Sequence, residues 1–256
     1  MLRITPLPAF SDNYIWMLEN AGETWVVDPG YSAPVLDFLD ENKLSLDGIM
    51  ITHNHPDHVS GVERLLSQNL RVIGSGRNRH PHTSEPVLGG EQIELAGLTF
   101  KAIPVPGHTM NHIAFYAIPN ESKPILFSGD TLFAAGCGRL FEGTAEMLHS
   151  SLESLMQLPE ETLIYCGHEY TLANLKFASE VDPENQAVQQ AMVKAKKLRA
   201  KNQPTLPTSL KNEKQTNPFL RAHLPQLRDR MEELSGEPIN SDVECFAQLR
   251  RWKDKF

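Results

Sequence analysis

A repeated construction constrains this chain more than any other feature. A short apolar run ends, often after a glycine, on His or Asp. Leu46-Asp47-Gly48-Ile49-Met50-Ile51 reads as a buried strand and runs into Thr52-His53-Asn54-His55-Pro56-Asp57-His58. Three imidazoles and one carboxylate lie between His53 and His58. Val59 to Leu66 then reads as the start of a helix, so the cluster sits on a strand-to-helix loop, where rigid elements hold ligands open to solvent. His is the commonest metal ligand near neutral pH, and His-x-His in an extended segment points both rings to one side. Asp57 and His58 turn back at the helix start and can serve a second ion.

Three further runs repeat the construction. His108 follows the strand-like Leu98 to Ile103 and Pro104-Val105-Pro106-Gly107. Asp130 ends Pro124-Ile125-Leu126-Phe127-Ser128-Gly129, and His168 ends Thr162-Leu163-Ile164-Tyr165-Cys166-Gly167. Any one of these alone reads as a turn or a satisfied core polar group. Together they make five His and two Asp, more than the three or four side chains that one zinc ion accepts. The count suits two ions if one carboxylate bridges them. Asp130, the lone carboxylate from a separate strand end, is the best bridge. One site would be His53, His55, His108 and Asp130; the other would be Asp57, His58, His168 and Asp130. Two ions about 3.5–4 Å apart activate water and polarise a carbonyl together, which is hydrolase chemistry.

This ligand set resembles the metallo-β-lactamase superfamily and, within it, the glyoxalase II (hydroxyacylglutathione hydrolase) family. The resemblance covers nearly the whole chain. It includes Gly129-Asp130-Thr131-Leu132-Phe133, Gly136-Cys137-Gly138-Arg139, Phe141-Glu142-Gly143-Thr144, the segment Gly167-His168-Glu169-Tyr170 through Phe177, and the final Arg250-Arg251-x-Lys253. Asn54 stands where the family usually has another His, at a position that is not a ligand. Arg139 and Phe141 stand where some relatives carry Lys and Tyr, so the hydroxyl of the second is lost. The resemblance implies an α+β fold, an αββα sandwich followed by a small C-terminal α-helical domain. Residues 1–168 would form the metal-binding catalytic domain and residues 169–256 the substrate-binding domain.

The implied reaction cleaves S-D-lactoylglutathione to glutathione and D-lactate, the second step of methylglyoxal detoxification, by attack of a metal-bridging hydroxide. Asp57 and Asp130 are the catalytic carboxylates of this reading. The cofactors are two divalent ions, zinc in the first place, with iron or manganese also suited to the ligands. A glutathione thioester carries two carboxylates, so its pocket should offer positive charge. Arg250 and Lys253 are three apart and share one helix face. Arg forks onto a carboxylate and Lys adds a point charge. Without the resemblance, the same cations read equally well as residues that complement a helix C-terminus. With it, Arg139, Phe141, Tyr170, Arg250 and Lys253 become the expected substrate contacts, Phe141 through backbone or packing.

Composition narrows the alternatives. At 256 residues, 40% hydrophobic and 22% charged, the chain has the make-up of an ordinary globular protein of one or two domains. A net charge of −8 argues against a nucleic-acid partner. No run of about 18 apolar residues predicts a membrane span, and Met1-Leu2-Arg3-Ile4-Thr5-Pro6 does not read as a signal peptide. Cys137, Cys166 and Cys245 are odd in number and form no C-x-x-C pair, which predicts unbridged thiols in the cytoplasm. No protein partner is evident. A β-lactamase is disfavoured by the missing signal peptide and a bridging Asp130. A one-iron persulfide dioxygenase should lack the tail ending in Arg250 and Lys253, a nuclease relative should show a basic face, and a dead binding scaffold should not keep all seven ligands.

Strands are expected at Asn13 to Glu19, Thr24 to Asp28, Arg71 to Gly74, Gln92 to Leu95, Leu98 to Val105, His112 to Ile118 and Ile125 to Ser128. Helices are expected at Ala33 to Asn42, His58 to Gln68 and Ala145 to Gln157, the last capped by Thr144. Further helices are expected at Glu184 to Asn202, begun by Asp182-Pro183, at Leu224 to Leu234 and at Ser241 to Lys255, with a loop over Gln203 to Asn217. The basic run Lys194 to Lys201 reads as a solvated helix face. His80 and His82 read as exposed loop residues, His149 and His223 as surface or capping residues, and His112 first as an ordinary strand-start residue near His108, with a place behind the metal ligands as the lesser alternative.

Overall fold

The computed structural model describes residues 1–67 and 70–256. Their contacts form two compact units. The first holds Met1–Val105, Asn111–Gly129 and Tyr165–His168; the second holds Pro106–Met110, Asp130–Ile164 and Glu169–Phe256.

In the first unit one sheet has the order β1 (Arg3–Ala9), β2 (Asn13–Asn20), β3 (Glu23–Val27), β4 (Gly48–Met50), β5 (Arg71–Ser75), β6 (Glu85–Val87). Strands β1 to β3 are antiparallel and β3 to β6 parallel. Parallel neighbours need crossovers, because a tight turn cannot join them. Helix α1 (Ser32–Asn42) crosses from β3 to β4, and the short helices α2 (Pro56–Val59) and α3 (Val62–Leu65) lie between β4 and β5. Strand β2 is buried along most of its length, so alternate residues serve two faces. Ile15 and Met17 join Val26, Ile49 and Val72 against Val35 and Phe38 of α1 and Val62 of α3. Trp16, on the other face, meets the second sheet: its ring stands edge-on to Tyr165 at 5.0 Å, and its Nε1 donates to the Cys166 carbonyl at 3.0 Å.

That second sheet runs β7 (Gln92–Leu95), β8 (Leu98–Pro104), β9 (Ile113–Ala117), β10 (Ile125–Gly129), antiparallel throughout. Residues Tyr165 and Cys166 extend it beside β10. The unit is therefore a two-sheet sandwich with helices packed outside its first sheet.

The second unit begins its secondary structure with the hairpin β11 (Leu132–Phe133) and β12 (Gly136–Cys137), then α4 (Ala145–Met156). The first half of β13 (Leu163–Cys166) pairs here with β14 (Thr208–Ser209). Helices α5 (Thr171–Val181), α6 (Gln186–Arg199), α7 (Leu210–Thr216), α8 (Pro225–Ser235) and α9 (Asp242–Lys255) follow. Leu175 and Ala178 of α5 and Val188 and Ala195 of α6 bury Ala135 of the hairpin turn. Polar anchors fix the same turn. The fully buried Glu213 accepts from the Ala135 N–H at 2.6 Å and the Thr208 hydroxyl at 2.8 Å. Asn217 donates to the Gly136 carbonyl at 2.9 Å, and Asn174 to that of Ala134 at 3.1 Å. Burial pushes the Glu213 carboxyl upward, and these donors oppose that shift. A second core is aromatic: Phe177 stacks on Phe219 at 5.9 Å and meets Trp252 edge-on at 5.1 Å, while Phe219 meets Phe246 at 5.7 Å.

Several expectations need correction. The single helix from His58 is two short ones, because Gly61 N–H donates to the Pro29 carbonyl at 3.0 Å instead of continuing the helical ladder; Gln68 lies outside the described residues. Strand β1 is present despite Pro6 and Pro8. It is an edge strand, and prolines two apart turn their missing donors to the same, unpaired side. The helix expected from Glu184 starts later and is capped by Asn185, whose side chain accepts from Ala187 and Val188 N–H; Asp182 ends α5 and pairs with Arg221 at 2.7 Å. The stretch Gln203 to Asn217 is not all loop. Ser209 caps α7 by accepting from Asn212 N–H, and β14 precedes it. His80 and His82 are partly buried rather than exposed. The Thr144 cap on α4 is present as read, and Lys194, Lys196, Lys197 and Lys201 lie on the exposed face of α6 and its end.

Candidate metal centre

The ligand loop of the first unit hangs from the end of β3. Asp28 has φ +51, a left-handed conformation that Asp tolerates better than most residues. Its Oδ1 accepts from Thr52 N–H at 2.7 Å, and its Oδ2 accepts from the Thr52 hydroxyl at 2.7 Å. The same Oδ2 lies 3.1 Å from His58 Nδ1. Thr52 Oγ1 lies 3.1 Å from His53 Nδ1, and with its proton already given to Asp28 it accepts from that ring. One buried carboxylate thus directs two imidazoles, each presenting Nε2 outward. Pro56 then starts α2 with His55 as its N-cap residue, placing Asp57 in the first turn.

His168 follows β13, and its Nδ1 lies 2.7 Å from Asp12 Oδ1. Its Nε2 lies 3.4 Å from Asp57 Oδ2, as does that of His58. Asn13 Nδ2 donates to the same oxygen at 2.9 Å. His168, then His58, hold the Asp57 carboxyl far below the usual carboxylate range, so Asp57 is an anion at any working pH. His53 Nε2 lies 3.1 Å from His55 Nδ1, and the His53 ring stacks on His112 at 4.7 Å. Gly129, at φ +48, passes where a Cβ would strike Thr52 and the His112 ring. A side chain at position 129 would therefore disturb the support of His53.

The second unit holds His108 and Asp130. His108 Nδ1 donates to the Arg139 carbonyl at 2.8 Å, and its Nε2 faces Asp130 Oδ2 at 3.6 Å. Phe141 and Glu142 N–H groups point at the His108 carbonyl, at 3.3 and 3.4 Å. Gly138 lies where a Cβ would collide with the Asp130 carbonyl and crowd His108. The spacing Gly136-Cys137-Gly138-Arg139 therefore serves the ligands: one glycine allows close approach, and the next carbonyl sets the imidazole.

These spacings fit a bound cation. Tetrahedral ligands about 2.0–2.1 Å from an ion lie roughly 3.3 Å from one another. The 3.4 Å from each imidazole to Asp57 and the 3.6 Å between His108 and Asp130 are long for charge-assisted hydrogen bonds and near that value. Asp57, His58 and His168 also offer donor atoms that lie within 4.8 Å of one another. Most of these rings have their other nitrogen engaged, the support that metal-ligating histidines commonly receive. Asp12, Asn13 and Asp28 supply part of it, and no sequence reading marked them as functional. Asp28 was visible only as the last residue of an expected strand, and nothing local distinguishes Asp12 or Asn13.

The expected substrate contacts lie together in the second unit. A cavity of about 330 Å³ is lined by His108, Asp130, Arg139, Phe141, Tyr170, Arg250 and Lys253, among others. Phe141 is exposed and edge-on to His108 at 5.3 Å. The Tyr170 ring meets Phe133 edge-on at 5.3 Å. Arg250 is only 6% exposed; it donates to the Cys137 carbonyl at 2.9 Å and sits over Phe219. Lys253 Nζ lies over the rings of Phe177 and Phe256, and desolvation lowers its pKa. Burial pushes the Cys137 thiol up to about 11, so it is a packing residue here and no nucleophile.

Two family models meet end to end on the chain. The metallo-β-lactamase superfamily matches residues 10–168, and the hydroxyacylglutathione hydrolase C-terminus matches residues 169–256. Hydroxyacylglutathione hydrolase from Pseudomonas savastanoi pv. phaseolicola is 47% identical over 260 residues, covering 100% of both chains. The chain belongs to the hydroxyacylglutathione hydrolase family. The family's protein from Hahella chejuensis is 45% identical over 258 residues, again with full coverage of both. Among solved structures, ETHE1 from Myxococcus xanthus superposes with a TM-score of 0.65 at 25% identity, covering 98% of this chain and 91% of its own. TTHA1623, solved in a di-iron-bound form, gives 0.60 at 25% identity over 85% and 100%. The αββα metallo-β-lactamase fold with a C-terminal helical region is thus the fold of this family member, and its His and Asp clusters suit a binuclear metal site.

Proposed function

We propose that this protein is a hydroxyacylglutathione hydrolase. It cleaves S-(2-hydroxyacyl)glutathione, S-D-lactoylglutathione above all, to glutathione and a 2-hydroxy acid, D-lactate, as the second step of methylglyoxal detoxification. The whole-length identity of 47% to named hydrolases carries this reading. Residues 1–168 act as the catalytic metal-binding domain and 169–256 as the substrate-binding domain, the division at which the two family models meet.

His53, His55, His108 and Asp130 would hold one divalent ion, and Asp57, His58, His168 and Asp130 the other. Zinc is the proposed metal; iron or manganese would also suit these donors. Bound there, the ions supply an activated water and polarise the thioester carbonyl. The side chains do the rest. Asp57, whose Oδ2 accepts from Asn13 Nδ2, would hold an ion and orient the water. Asp28, Asp12 and the Arg139 carbonyl keep the Nδ1 protons on His58, His168 and His108, so Nε2 of each is the ligand atom. Arg139, Tyr170 and Lys253 take the glutathione moiety, with Phe141 contributing packing and Arg250 supporting the wall. The glutathione thiolate leaves unaided, since a thiol of pKa about 8.5 needs no strong acid. The substrate is a small molecule; no nucleic acid, membrane or protein partner is part of the reading. Among the described residues, no helix is long and apolar enough to cross a membrane. The three cysteines are buried thiols outside any disulfide, the state a reducing cytoplasm preserves.

The test is thiol release from S-D-lactoylglutathione by protein of known metal content. Rapid release that is lost in His55→Ala is the expected result. No release from protein carrying two ions per chain would overturn the assignment.

A further inference from the structure

Three cations line the cavity of the second unit, and they are not equivalent. Arg250 is committed to the wall: its Nη1 donates to the Cys137 carbonyl, its guanidinium lies 5.0 Å from the Phe219 ring centroid, and its Nη2 donates to Asp254 Oδ1 at 3.0 Å. Arg139 is on the open side, its side chain 54% exposed. Its Nε donates to that same Asp254 Oδ1 at 3.2 Å, and its Nη2 reaches the Asp254 backbone carbonyl at 3.4 Å. Lys253 is the third. One carboxylate oxygen therefore bridges two guanidinium groups in a cavity whose proposed ligand carries carboxylates. Asp254 occupies the position on Arg139 that a ligand carboxylate would take.

We propose that Asp254 is an affinity-setting residue of this pocket, an internal carboxylate that a glutathione carboxylate displaces from Arg139. The inference rests on the glutathione reading above. Arg139 can change partners because its side chain is exposed and its ion pair with Asp254 is solvent-screened, a class worth about 0.2–1 kcal/mol. Arg250 cannot, because it is buried and holds the hairpin carbonyl. The displaced Asp254 keeps its bond from Arg250, so the exchange leaves no buried charge unpaired. The device limits affinity for the substrate and, equally, for the product glutathione, which shares the same carboxylates.

The experiment is Asp254→Asn on the metal-loaded full chain. Asparagine keeps an oxygen that accepts from Arg250, and thermal melting verifies that the fold persists. The expected result is a KM for S-D-lactoylglutathione about two- to fivefold lower, with inhibition by free glutathione strengthened by the same factor. A glutathione thioester with its glycine carboxylate amidated should lose most of that gain. In an Arg139→Gln background, Asp254→Asn should change neither constant, whereas a merely structural role for Asp254 would still register there. A rise in KM, equal effects on the amidated analogue, or an undiminished effect without Arg139 would each overturn the proposal. Failure of the function itself reads differently: the wild-type chain would then release no thiol at all.

Discussion

The candidate metal loop of the first unit and the cavity of the second are built on opposite principles. In the loop, His58 and His168 each have a carboxylate behind them, and both rings are at most 5% exposed. Their geometry is settled before any ligand arrives. In the cavity, Arg139 and Phe141 stand more than half exposed, and Arg139 is held by one solvent-screened ion pair. Chemistry on a carbonyl needs atoms placed to a fraction of an ångström, which buried hydrogen bonds provide. Recognition of a flexible peptide carboxylate tolerates, and its release requires, contacts that exchange with water. On the proposed reading, rigidity is concentrated where the bond would break.

The largest expected effect tests the rigid side. His58→Ala removes a proposed ligand and leaves Asp28 without its ring, so kcat/KM for thiol release should fall on the order of a thousandfold, ~4 kcal/mol, together with bound metal. A variant that kept both metal and turnover would break the comparison at its root. Next are the residues behind the ligands. Asp28→Asn, which disturbs both Thr52 and His58, should weaken metal binding by roughly 10–100-fold, and Asp12→Asn, which touches only His168, should sit at the lower end. Competition with a chromophoric chelator measures this without reference to activity. Equal and negligible losses would mean the loop is not preorganised by these carboxylates.

On the adaptable side the effects should be smaller and of another kind. Lys253→Ala should raise KM about fivefold, ~1 kcal/mol, with little loss in kcat, because a distant binding contact is removed rather than a group at the reacting bond. A fall confined to kcat would move Lys253 out of the substrate pocket. The smallest signal concerns the thiols. Cys137 and Cys245 are buried, with pKa values pushed up to about 11 and about 12. The native protein at pH 8 should therefore react with a thiol reagent only slowly, and denaturation should release all three. Rapid native labelling would show that the cavity wall opens.

Legibility followed sequence distance. His53, His55, Asp57 and His58 declared themselves because four donors fall within six residues, and Asp130 and His168 because each follows an apolar run and a glycine. Strands β2, β3 and β10 were readable for the same reason, since burial leaves a compositional trace. Strand β1 was hidden by Pro6 and Pro8, which only an edge position permits. Helix α7 was hidden by polar composition: its buried Glu213 looks like a surface residue until Ala135, Thr208 and Asn217 surround it. The break at Gly61 depends on Pro29, and the cap at Asn185 on Asp182 being engaged by Arg221.

The sequence by itself determined the family and hence the fold and reaction, and it offered a candidate donor set, because donor chemistry and strand hydrophobicity are properties of residues and their near neighbours. The tertiary structure decided how those donors are aimed and which cations stay available. His58 takes its tautomer from Asp28, 30 residues away, and His168 from Asp12, 156 away. Arg250, expected as a substrate contact, lines the cavity with its guanidinium held by the Cys137 carbonyl and the Phe219 ring. A hydrogen bond is satisfied by whichever partner folding brings within 3 Å, and chain position alone does not name that partner.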